Sequence, residues 1–144
     1  QILARLARAY EAQGEIAPAL QALQGCVKRA TQEVASPLPL AEECLLHSGA
    51  LHVAQQQYPP ALAVYQSALQ LFPSSRHRDW ILFRTAELYR QMEDEPHMLE
   101  SLQTLQANAR SPFWKRVATE YTNDQSWRQR FHERLAQFHD AGGR

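Results

Sequence analysis

The sequence predicts an all-α fold of paired antiparallel helices, and three observations carry that prediction. Apolar residues recur at three- and four-residue steps along nearly the whole chain. No stretch alternates apolar and polar positions with the β-branched residues a strand prefers. Prolines and short polar clusters interrupt the helical period at intervals of one helix length.

The elements follow in order. Leu3, Leu6, Ala7 and Tyr10 form one helical face, Gly14 interrupts it, and Ile16, Leu20, Leu23 and Val27 resume it, which makes a first hairpin over residues 1–34. The segment ASPLP cannot be helix interior, because each proline lacks an amide hydrogen and clashes with the preceding turn; Ser36 and Pro37 suit a cap and first turn. Leu45, Leu46, Gly49, Val53 and Ala54 carry the next helix. Pro59 and Pro60 end it and open a partner through Leu62, Tyr65, Leu69 and Phe72, giving a second hairpin over residues 37–73. A third, over 76–110, runs through Ile81, Leu82, Thr85, Ala86 and Tyr89, then restarts at a cap on Asp94 with Pro96 and continues through Leu99, Leu102 and Leu105. Ser111 and Pro112 begin a terminal pair of capping helices over 111–140, the second capped by Asn123 or Asp124 and carrying Trp127, Phe131, Leu135 and Phe138. The expected total is eight helices.

Composition narrows the partner. The 144 residues are 44% hydrophobic and carry fifteen basic against fifteen acidic side chains, which suits one soluble domain. No net field draws in nucleic acid or an anionic membrane, so the expected partner is a protein or peptide and not nucleic acid. No run approaches the roughly 18 consecutive apolar residues of a spanning helix, so direct membrane insertion is not expected. The opening QILARLARAY lies inside a helical pattern with no cap before it, as expected of a fragment of a longer array. Cys26 and Cys44 are too few for a disulfide framework. The plain reading is two small buried apolar side chains; the sharper one is a disulfide between consecutive helices, which implies an oxidising compartment.

The hairpins also repeat. Centred on Tyr10, His52 and Tyr89, the positions nine, thirteen and sixteen residues on are Ala19, Leu23 and Cys26, then Ala61, Tyr65 and Ala68, then Met98, Leu102 and Leu105. A leucine stands seven residues before each centre: Leu3, Leu45 and Leu82. Residues 1 to 110 resemble the tetratricopeptide repeat, a helix-turn-helix unit with small residues where paired helices touch, and the second unit matches best through Gly49, Ala61, Tyr65, Ala68 and Pro73. The resemblance implies a right-handed superhelical α-solenoid, with the C-terminal helical pair as its end and the whole chain as one solenoid domain. The centres lie 42 and 37 residues apart, wider than the family's repeat, and Met98 replaces a small alanine, so the third unit is degenerate. Phrases such as LFPSS before a helix with FRTAELY are similar to repeats of bacterial envelope proteins, which favours a periplasmic or envelope-associated location over the cytoplasmic alternative.

No catalytic, cofactor or metal motif stands out. His47 and His52 are five apart and turn away from each other on a helix, while His132 and His139, seven apart, are separated by about 10 Å along one face. Glu42 and Glu43 are adjacent and are expected to point to different sides. There is no phosphate loop, nucleophile elbow or paired Cys-x-x-Cys, so the chain is expected to be no enzyme. By the resemblance, a concave groove lined by the first helix of each hairpin binds a peptide or partner. Its positions here are Arg5, Arg8, Glu11, Glu43, His47, Ala50, Trp80, Arg84, Glu87 and Arg90, and the arginines suit a carboxylate. Of the family's carboxylate-clamp positions for chaperone tails only Arg84 agrees, so that subset is not supported. Trp127 and Phe131 mark a candidate association surface. The expected function is thus a protein-interaction scaffold. The alternatives are a structural, self-associating end of a longer array, or a regulatory or sensing module of a larger protein.

Overall fold

The computed structural model describes residues 1–32 and 38–142, apart from the side chains of Leu38, Trp127, Leu135 and residues 138–142. The cap expected at Ser36 and Pro37 lies outside the described residues. Among the described residues seven helices follow one another: α1 (Ile2–Ala12), α2 (Ile16–Gln32), α3 (Leu38–Ala54), α4 (Tyr58–Leu71), α5 (Arg78–Gln91), α6 (Glu95–Asn108) and α7 (Pro112–Gly142). They form two compact units, Gln1–Ile81 and Leu82–Arg144.

The same turn joins the helices of all three hairpins. Gly14, Gln56 and Glu93 have φ of 77°, 57° and 59°, the left-handed conformation that ends a helix. In each turn the following amide reaches back five residues: Glu15 N donates to Tyr10 O at 2.8 Å, Gln57 N to His52 O at 2.8 Å, and Asp94 N to Tyr89 O at 2.9 Å. These acceptors are the three centres of the sequence repeat. Asp94 also caps α6, its carboxylate accepting from His97 N at 3.3 Å, and Pro59–Pro60 and Pro96 occupy first-turn positions where a missing amide hydrogen costs nothing.

In the first unit, small side chains let neighbouring helices close. Ala7, Ala19, Ala61 and Ala68 are completely buried, and Leu23 and Tyr65 fill the space between them. Full burial of a side chain such as Leu23 is worth about 1.5–3 kcal/mol relative to exposure. Cys26 and Cys44 sit in this core and form a disulfide with Cα atoms 6.3 Å apart, tying α2 to α3. The plain reading of two thiols is overturned. Both positions are buried, as small apolar side chains would be, but facing helices bring the sulfurs within bonding reach.

The second unit packs Ala86, Met98 and Leu102 together with Phe83, Tyr89, Leu99 and Tyr121. Met98 is buried although it is larger than the alanine of the resemblance. The C-terminal pair of helices is corrected to one continuous helix, α7. Neither Asn123 nor Asp124 ends a helix; Asp124 pairs with Arg128 one turn later at 3.1 Å, and neither glycine nor proline stands between Phe113 and Ala141 to break the backbone pattern.

Candidate functional site

The site is built on one face of α3. Pro39, Glu42, Glu43 and Leu46 recur at the helical spacing i, i+3, i+4, i+7 and, with His47, line a cavity of about 1010 Å³. Arg8 and Glu11 of α1 form another wall, and Arg76 and His77, in the turn before α5, close one end.

Two polar bridges run across it between the first and second hairpins. Arg8 Nη2 donates to Glu43 Oε1 at 2.6 Å, and His47 Nε2 lies 2.7 Å from Glu11 Oε2. Arg8 and Glu43 have side chains 63% and 56% exposed, so solvent screens the pair and it adds about 1 kcal/mol of stability at most. Its value is positional, since it holds a guanidinium and a carboxylate side by side at the mouth. Glu42 accepts from the Ser75 hydroxyl, which in turn accepts from His77 N at 2.9 Å, so the turn is anchored to α3. Arg76 Nε donates to His77 Nε2 at 3.2 Å, and no carboxylate among the described residues pairs with Arg76. The lining therefore mixes hydrogen-bond acceptors, two guanidinium groups and an apolar strip at Pro39 and Leu46. That surface suits an extended peptide, whose backbone and side chains offer both kinds of partner.

The expected groove residues divide between the two units. Arg8, Glu11, Glu43 and His47 meet at this cavity. Arg5 is exposed on α1 outside its lining, and Trp80 turns its ring edge-on to Tyr65, centroids 5.9 Å apart. In the second unit Arg84 pairs with Glu87 at 2.8 Å and Arg90 lies 5.9 Å over the Tyr121 ring. Phe131 is 48% exposed on α7, and the Trp127 side chain is outside the described residues. Glu42 and Glu43, about 100° apart on α3, line the same cavity but reach different sides of it, Glu43 to Arg8 of α1 and Glu42 to Ser75 of the α4–α5 turn. Pro39, Leu46, Arg76 and His77 were not anticipated. The first two are found by extending the helical spacing from Glu43, whereas the last two come from a turn, where no periodic signal exists.

Among the described residues no three His, Cys, Asp or Glu side chains gather as a metal site, and no helix is long and apolar enough to cross a membrane. Burial raises the Tyr121 phenol above its ordinary pKa, partly opposed by the nearby Arg90 charge.

The arrangement defines a class. The tetratricopeptide repeat family model matches residues 3–31 and 43–75, both within the first unit. The fold is similar to that of the N-terminal domain of stress-induced protein-1 (STI-1) from C. elegans, with a TM-score of 0.66 and 10% identity over 83% of this chain and 91% of that one. No curated protein matches the chain in sequence. The class is an all-α helical repeat, generally a non-catalytic protein-interaction module whose stacked hairpins present a binding surface.

Proposed function

We propose that the chain is a non-catalytic scaffold whose first unit receives an extended peptide segment of a partner protein in the cavity between α1, α3 and the α4–α5 turn. The observation that carries this reading is the double bridge, Arg8–Glu43 and Glu11–His47, which preorganises charged groups from two successive repeats around an open cavity. Preorganised side chains lose little freedom on binding, so more of the contact energy appears as affinity. Arg76 supplies a guanidinium for a peptide carboxylate, and Leu46 with Pro39 an apolar floor.

The disulfide between α2 and α3 supports action in an oxidising compartment, and with the resemblance to envelope repeats it favours a bacterial periplasmic or envelope location. Self-association through Phe131 on α7 is the second reading, favoured by that ring's exposure. The test replaces Arg8 and Arg76 together by glutamate. Partner capture should be lost while the helical circular dichroism spectrum stays unchanged; undiminished capture would sink the groove reading.

A further inference from the structure

α3 carries a second lined face. At about 100° per residue, Leu45, Ser48 and His52 lie nearly opposite the residues that face the groove. They floor a separate cleft of about 340 Å³ between α2 and α4, with Leu23, Val27 and Val64 as apolar walls and Lys28 at the rim.

Two features of this cleft call for a ligand. Ser48 is only 7% exposed, yet among the described residues its hydroxyl makes no hydrogen bond. A helical serine ordinarily bonds back to the carbonyl four residues earlier, as Ser67 does to Ala63 O at 3.0 Å on the facing wall. Ser48 instead lines the cleft with its hydroxyl free of any protein partner among the described residues, so a ligand in the cleft can accept from it. The second feature is charge. Lys28 is cationic, no Asp or Glu lines the cleft, and no carboxylate among the described residues pairs with Lys28.

We propose that this cleft binds a small amphipathic carboxylic acid. The carboxylate accepts from the Ser48 hydroxyl and from the Lys28 ammonium, whose flexible stem folds over the rim, while the apolar body lies along Leu23, Val27, Leu45 and Val64. At about 30 Å³ per water-sized group, 340 Å³ holds roughly ten non-hydrogen atoms, the size of an eight-carbon acid. The volume lies within the range usual for small-molecule sites, about 300–1,000 Å³. This site is independent of the groove, and a failed groove test leaves it standing.

The experiment titrates the whole labelled chain with octanoate, octan-1-ol and octylamine and follows backbone amide shifts. Octanoate should saturate with shifts concentrated at residues 23–28, 45–52 and 63–67. Octanol should bind about tenfold more weakly, and octylamine should not saturate. Lys28→Gln, at an exposed position that leaves folding intact, and Ser48→Ala should each weaken octanoate about three- to tenfold with octanol little changed. No saturation by octanoate, shifts lying elsewhere, equal binding of octylamine, or octanoate affinity unchanged in Lys28→Gln would each overturn the proposal.

Discussion

Gly49 and Tyr65 meet so closely that no side chain fits between them: a Cβ built on Gly49 would stand 2.7 Å from both Cε1 and Cζ of the tyrosine ring. The ring is completely buried and lies edge-on to Trp80, so it has little room to retreat. Gly49→Ala gains about 1 kcal/mol of helix propensity but forces overpacking worth about 1–3 kcal/mol, for an expected net loss of up to about 2 kcal/mol. Gly25 is the contrast. Its added Cβ would reach only Leu3 Cδ1, at 3.3 Å, on a half-buried side chain that can yield, so Gly25→Ala should be neutral or stabilising by up to about 1 kcal/mol. Urea titrations of the two variants check the pair.

The shared turn makes a second prediction. Gln56 and Glu93 adopt the left-handed conformation that Gly14 occupies in the first hairpin, at a cost to a residue with a Cβ. Gln56→Gly and Glu93→Gly should each stabilise by about 0.5–1 kcal/mol, less than the conformational cost because glycine also loosens the unfolded chain. Gly14→Ala should destabilise by a similar amount. Thermal melts that reverse either sign would show that the turn is held some other way.

The Cys26–Cys44 disulfide closes a loop of sequence separation 18, and chain-entropy reasoning gives such a loop about 3 kcal/mol of stabilisation. A Cys26→Ala, Cys44→Ala variant should lose roughly that amount, and unfolding of the wild type under reducing denaturant should fall to the same midpoint. The change belongs to the first unit, so amide exchange should accelerate there and leave α6 and α7 unaltered.

Tyr121 makes a prediction about pH. Its hydroxyl is buried without a hydrogen-bond partner among the described residues, and burial raises its pKa in the fold above the ordinary value. An acid with a raised folded pKa contributes stability that is fully present below its unfolded pKa, near 10 for tyrosine, and that is lost as the pH climbs through the folded value. Tyr121→Phe should therefore stay within about 1 kcal/mol of wild type at neutral pH and become the more stable of the two above pH ~10. Parallel denaturation curves on both sides of that pH read the divergence.

The repeat was legible because its causes are local. The spacing of Tyr10, His52 and Tyr89 in the sequence is also the spacing of the three left-handed turns at Gly14, Gln56 and Glu93, each four residues further on. Prolines at 59, 60 and 96 mark first turns for the same reason, since a ring nitrogen suits only an amide that needs no acceptor. Asn123 and Asp124 misled because a cap residue signals a helix start only when the chain before it has left the helix; here nothing breaks it. The site was half legible. Arg8, Glu43 and His47 lie on the faces the repeat assigns, but the pairing of Arg8 with Glu43, 35 residues away, depends on how two hairpins stack. Arg76 and His77 belong to a turn whose direction no periodicity encodes.

The central claim is that the cavity between α1, α3 and the α4–α5 turn receives a partner. Site-specific photo-crosslinkers placed in cells at the exposed positions Glu43 and Arg76 test it directly, with Gln70 of α4 as the position outside the cavity. The account predicts one discrete protein adduct from Glu43 and from Arg76, and none of that mass from Gln70. Adduct formation at Gln70 with silence at the other two would contradict it.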